Sequence, residues 1–251
     1  MKQTKVDVKQ VGTASRRSFL KISGLTLAGT GLLLAGCSND DDNDNRTTNP
    51  TMLPGVVDGV FDLGAGDAGI LTYAYALEQL EADFYTRVVN ANNFGGTFNT
   101  DEQAILVDLY RHEVIHREFF KAALTAALAN TAGTVLPSLE FKYDSVNFSN
   151  RASVLNTAKA LEDTGVAAYN GAGQYITSAD YLLLAGKIVS VEARHASAIR
   201  DLLNPNTAAF AGNDVVDATT GLDAAKKPSQ IITAVSALNF IQTPFTATYL
   251  E

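Results

Sequence analysis

The sequence predicts an all-α fold, an antiparallel four-helix bundle with a long crossover between its second and third helices. Three observations predict it. Four long segments between residues 67 and 203 carry apolar side chains at helical spacing. The links within the first and last pairs are short, while the middle link holds the eighteen residues "AGTVLPSLEFKYDSVNFS", enough to run the length of a bundle. Each segment also places one glutamate on its otherwise apolar face: Glu78, Glu113, Glu162 and Glu192.

The first 36 residues stand outside that core. "SRRSFLK" (Ser15–Lys21) precedes a short apolar stretch rich in Leu, Gly and Ala that ends in "LLAGCS". A basic start, a short apolar region and small residues before a break read as an export signal, since the run is too short and glycine-rich to span a bilayer comfortably. Arg16 and Arg17, followed by Phe19, Leu20 and Lys21, resemble a twin-arginine signal, and "LAGC" (Leu34–Cys37) resembles a bacterial lipobox. Together they imply cleavage before Cys37 and lipidation of its thiol, hence an exported bacterial lipoprotein on the periplasmic or cell-surface face of a membrane. Cys37 is the only cysteine, so no disulfide is expected. Removing the signal leaves 13 basic against 26 acidic residues, a net charge of about −13 that argues against a nucleic-acid partner. The polar, acidic "SNDDDNDNRTTNPT" reads as the start of a flexible tether over residues 37–66.

The first helix is expected from about Asp67 to Asn92, with Leu71, Ala74, Tyr75, Glu78, Ala82, Tyr85 and Val89 on one face. The second opens at "TDEQ" (Thr100–Gln103), a capping-box pattern, and runs to about Thr131 with Leu106, Leu109, Glu113, His116, Phe120 and Leu124 inward. The third covers roughly Asn150 to Ile176 with Leu155, Ala158, Glu162, Val166 and Tyr169 inward. The fourth follows Ser178 and stops near Leu203, facing inward with Leu182, Ala185, Ile188, Glu192, His195, Ile199 and Leu202. After Asn204 the chain is loop-rich, with a short helix over Ser229–Phe240 expected to pack as a lid or brace over the domain of residues 67–203.

The chemistry lies in the spacing. The chain has three histidines, and two of them, His116 and His195, stand three residues after a glutamate (Glu113 and Glu192). Residues three apart project from the same side of a helix, so each pair converges on one point. Tyr85 and Tyr169 each stand seven residues, two turns, after Glu78 and Glu162, where a hydroxyl can hydrogen-bond a ligand and orient it. Four carboxylates facing one core would repel one another and lose their hydration, and two divalent cations would cancel that charge. Glu81, one turn beyond Glu78, is a candidate extra or bridging ligand, although an exposed glutamate is the simpler reading. His112 and Glu118 read as surface residues. Gly165 stands in the third helix where Glu81 stands in the first, so the Gly165 side is expected to be the roomier approach for an oxidant. His116 and His195 are expected to flank the carboxylates on opposite sides.

A lone glutamate on each of two helices plus Glu-x-x-His on each of the other two resembles the ligand set of the ferritin-like superfamily. "YALEQLEADFY", with the export signal, looks most like the bacterial and plant desiccation-related members. The resemblance implies a centre of two iron or manganese ions held by Glu78, Glu113, His116, Glu162, Glu192 and His195. Such a centre would meet small oxidants, dioxygen or peroxide, as a ferroxidase, peroxidase or catalase type of oxidoreductase. A metal-binding or stress-protective protein without turnover is the other reading, and a homo-oligomer is compatible with either.

Overall fold

The computed structural model describes residues 52–250. Arg16, Arg17, Cys37 and the acidic stretch that follows them lie outside the described residues. Four long helices form the body: α1 (Gly66–Val89), α2 (Thr100–Leu128), α3 (Arg151–Ala172) and α4 (Ala179–Leu203). α1 packs chiefly on α2 and α3 on α4, with lesser contacts α1 to α3 and α2 to α4, so the four enclose one shared core. This is the all-α four-helix bundle with a long middle crossover that the sequence predicts.

The helix starts follow local chemistry. The capping box of α2 lies one residue earlier than "TDEQ" suggests. The Asn99 side chain accepts from the Asp101 and Glu102 amides, and Glu102 accepts from the Asn99 amide at 2.9 Å. Asn outranks Thr as a cap, which favours the shift. Asn150 and Ser178 cap α3 and α4 through their side chains. The fourth helix differs from expectation near its start: Leu182 is 46% exposed, and no residue of α4 before Ile188 is fully buried.

α1 is buried on nearly every side, from Gly69 through Phe84 with the exception of Asp83. An apolar helix of this kind needs cover all round. The crossover supplies part of it, with Leu136, Leu139 and Tyr143 buried and the Leu139 amide donating to Gln79 Oε1 at 2.8 Å. The C-terminal segment supplies more through α5 (Pro228–Leu238). Its approach to α3 is so close that a Cβ at Gly171 would lie 1.8 Å from the Lys226 carbonyl oxygen, a place only glycine can occupy. α5 and α1 border a cavity of about 160 Å³ with Tyr73, Leu77, Ile232 and Val235 in its wall; none of the sequence-predicted metal ligands lines it.

Within the span expected to be tether, residues 55–62 form strands instead. β1 (Gly55–Val57) and β2 (Val60–Asp62) form an antiparallel hairpin around Asp58 and Gly59, both at positive φ, the Asp-Gly turn that right-twisted strands favour. β3 (Phe245–Thr246) adds parallel to β2, and Asp62 accepts from the Gly64 amide, Thr246 Oγ1 and the Thr248 amide. Burial opposes ionisation of Asp62, but those hydrogen bonds outweigh it and hold its carboxyl below the usual range. The C-terminus is thereby fastened beside the entry to α1.

Candidate metal centre

All six sequence-predicted ligands meet in the core. Glu78, Glu113, Glu162 and Glu192 are fully buried, and His116 and His195 nearly so. Their atoms sort into two sets. His116 Nδ1 lies 2.8 Å from Glu192 Oε1 and 3.4 Å from both Glu78 Oε2 and Glu113 Oε2. His195 Nδ1 lies 2.7 Å from Glu113 Oε1, 3.3 Å from Glu192 Oε2 and 3.5 Å from Glu162 Oε2. Within each set of four residues one ligand atom apiece lies within 4.8 Å of the others. Glu113 and Glu192 belong to both, one oxygen in each, while Glu78 and Glu162 belong to one apiece.

These approaches are short, yet none has hydrogen-bonding geometry: both oxygens of Glu113 and Glu192, Oε2 of Glu78 and Glu162, and both histidine Nδ1 atoms are buried without a hydrogen-bond partner. One Nδ1–H can donate to one oxygen, so histidinium–carboxylate pairing leaves most of these lone pairs unanswered. Buried polar atoms are rarely left unpartnered. Eight orphan atoms aimed into two small spaces are what bound cations would satisfy. The donor set of carboxylate oxygen and imidazole nitrogen fits a metal ion.

The electrostatics agree. Burial, and then the charge of Glu192, push the Glu113 carboxyl up to about 8. Burial likewise raises Glu162, against the opposing charge of His195. Burial also opposes ionisation of Glu192, but its approaches to His116 and His195 dominate and hold it at about 2. Both imidazoles are raised in the metal-free chain, despite desolvation, by the carboxylates around them. A metal ion in each set would take over that neutralising role.

The tyrosines reach across the bundle rather than along their own helices. Tyr85 on α1 donates to Glu162 Oε1 on α3 at 2.5 Å, and Tyr169 on α3 donates to Glu78 Oε1 on α1. Burial, then the neighbouring glutamate's charge, raise both phenols, so they stay protonated as donors. Each lone glutamate thus has one oxygen tethered and the other free.

Three expectations are corrected. Glu81 is 3% exposed rather than on the surface, because it stands on the inward stripe of α1 against Gly165 of α3. It belongs to neither donor set, and burial, then the charge of Glu113, raise its carboxyl well above the usual range. The Gly165 side is not roomier: a Cβ there would stand 3.0 Å from Glu81 Oε1, so that carboxyl fills the space the missing side chain leaves. The histidines do not flank the carboxylates on opposite sides; their ring centroids are 6.2 Å apart, since both extend from α2 and α4 where those helices touch. His112 is exposed, as expected, and its Nδ1 lies 2.9 Å from His195 Nε2. Its position four residues before His116, one turn away, was the available signal. Glu118 is exposed, as expected.

Away from the cluster, Arg200 of α4 is 3% exposed and forms a bidentate pair with Asp163 of α3 at 2.7 Å for both bonds. It also binds Asp214 of the C-terminal segment at 3.0 and 2.8 Å. The sequence reading missed this network, which ties that segment to the bundle.

A helical bundle with paired Glu/His donor sets at its centre defines a protein whose core could hold metal between helices. The model of one family, the ferritin-like domain, matches residues 66–205, more than half of the chain, and the chain belongs to that family. No curated protein sequence matches it significantly.

Proposed function

We propose that the protein is an exported, lipid-anchored holder of two iron or manganese ions that acts on dioxygen, peroxide or ferrous iron in stress protection. The observation that carries this reading is the sharing of Glu113 and Glu192 between two four-donor sets, which supports a dinuclear centre. Mixed oxygen and nitrogen ligation suits iron or manganese better than magnesium or copper. Bound iron or manganese would supply the redox chemistry. Glu113 and Glu192 would each serve both ions, and Tyr85 and Tyr169 orient Glu162 and Glu78. Burial excludes bulk water and raises the Glu81 carboxyl beside the cluster.

The twin-arginine and lipobox resemblances support export and anchorage through Cys37, and "YALEQLEADFY" supports a place among the desiccation-related members. Among the described residues no helix is long and apolar enough to cross a membrane. Twin-arginine export moves folded proteins, so the metal would be loaded before crossing.

Metal analysis of protein purified without added metal should find close to two ions per chain, iron or manganese. Glu113→Ala and His195→Ala should lower that number sharply, and full occupancy in the double variant would overturn the reading. Peroxide consumption, or oxygen uptake on adding ferrous iron, separates turnover from mere holding. For anchorage, Cys37→Ser should leave unprocessed, unlipidated precursor; a chain beginning at Ser38 that still sediments with membranes would refute it.

A further inference from the structure

We propose that His112 is a positioning residue that makes the two metal positions unequal, so that the ion beside His195 is retained and the ion beside His116 exchanges. This rests on the two-ion reading above.

His195 presents Nδ1 to the carboxylates and Nε2 to His112 Nδ1, 2.9 Å away. The two rings lie within 9° of parallel with centroids 5.1 Å apart. That separation is about one hydrogen bond plus two ring radii, so the rings meet edge to edge in nearly one plane. An imidazole that offers the Nδ1 lone pair to a metal carries its proton on Nε2. His195 therefore donates Nε2–H to His112 Nδ1, and His112 keeps its own proton on the other nitrogen. The bond fixes both the tautomer of His195 and the direction of its lone pair, which is how an outer partner strengthens a metal ligand. His112 is itself exposed and lies one residue before Glu113 on α2, so one turn of helix both supplies a shared carboxylate and braces the opposite histidine.

The other half lacks this brace. His116 Nε2 has no protein hydrogen-bond partner among the described residues, and its side chain is 11% exposed. The repeat explains why. His112 immediately precedes Glu113, and the residue that immediately precedes Glu192 is Val191, which has neither donor nor acceptor on its side chain. The two donor sets match residue for residue, and this neighbour is where they part.

The test uses the full chain, stripped with chelator and loaded with Co(II) alone as a spectroscopic probe. Stoichiometry and the release of Co(II) to excess chelator are followed. The wild type should bind two ions and release them in two phases. His112→Phe, which keeps a ring and removes the acceptor, should speed the slow phase roughly 10- to 100-fold and leave the fast phase alone. His112→Asn, whose Oδ1 can stand where Nδ1 stood, should restore most of the retention. Val191→His should slow the fast phase. Unchanged release in His112→Phe, or equal acceleration of both phases, overturns the assignment of His112 while leaving the two-ion reading intact. A wild type that binds fewer than two ions overturns both.

Discussion

The phenol of Tyr85 donates to a carboxylate 77 residues further along the chain, Glu162, at 2.5 Å, and Tyr169 returns the same bond to Glu78. Each tyrosine therefore spans α1 and α3 and holds the other hairpin's glutamate with one oxygen turned to the cluster. Tyr85→Phe removes a hydrogen bond to a buried charged group. It should lower metal affinity by roughly 10- to 100-fold and destabilise the metal-loaded fold by about 1.5–3 kcal/mol. Tyr169→Phe should behave alike. Metal retained after dialysis, with urea denaturation, measures both; affinity unaltered in the double variant would remove the orienting role.

Metal removal should make stability depend on pH. In the metal-free chain Glu113 is raised from 4.5 to about 8 by burial and by Glu192. The folded state then holds a proton the unfolded state releases, so stability is fully present below about 4.5 and lost as pH rises to about 8. The raised histidines act in the same sense, their contribution present below 6.5 and lost at higher pH. Relaxation and water entry reduce the loss to about 1–3 kcal/mol. Thermal unfolding of chelator-treated protein from pH 5 to 8.5 should show the fall, and the metal-loaded protein should not. Equal metal-free stability at both ends would count against a proton-bearing cluster.

Gly165 and Glu81 should be coupled. A methyl at 165 meets the Glu81 carboxyl at 3.0 Å in a closed space, so Gly165→Ala should cost about 1–2 kcal/mol. In a Glu81→Ala background the same change should cost nothing or stabilise. A double-mutant cycle in urea reads the coupling, and additive costs would mean that the two do not share the space.

Arg200→Leu leaves Asp163 without its partner and frees the segment holding Asp214. Loss of a buried partner costs about 3–5 kcal/mol, and the partial exposure of both aspartates brings the expectation to about 2–3 kcal/mol. Asp214→Asn, at a 58% exposed side chain, should cost less than about 1 kcal/mol. Limited proteolysis near residue 214 should quicken in Arg200→Leu; an unchanged cleavage rate would show that the segment is held by other means.

The helices and the six donors were legible because periodicity reports which side of a helix a residue occupies, and the donors share the apolar stripes. What the stripes cannot report is reach between helices. His112 was read as a surface residue, and it is exposed, yet His195 extends across the α2–α4 contact to meet it. The tyrosine bonds cross from α1 to α3 for the same reason. Glu81 was misread because its charge was taken as a sign of exposure, although three residues after Glu78 it shares the inward stripe of α1 and fills the space over Gly165 of α3. The strands, two or three residues each, are too short for alternation to show, although the Asp58–Gly59 turn between two of them was visible in the sequence.

The sharing of Glu113 and Glu192 makes the bundle internally symmetric. The hairpin α1–α2 supplies three donors to one set and one to the other, and α3–α4 supplies the converse. Neither hairpin completes a site alone, yet each carries the full list of parts: a lone glutamate, a tyrosine seven residues on, and a Glu-x-x-His pair. Two copies of one such hairpin, related by a twofold axis, would reproduce the whole centre. The bundle is thus organised as two matching halves that depend on each other at the donor cluster and differ beside it, where one half has His112 and the other Val191.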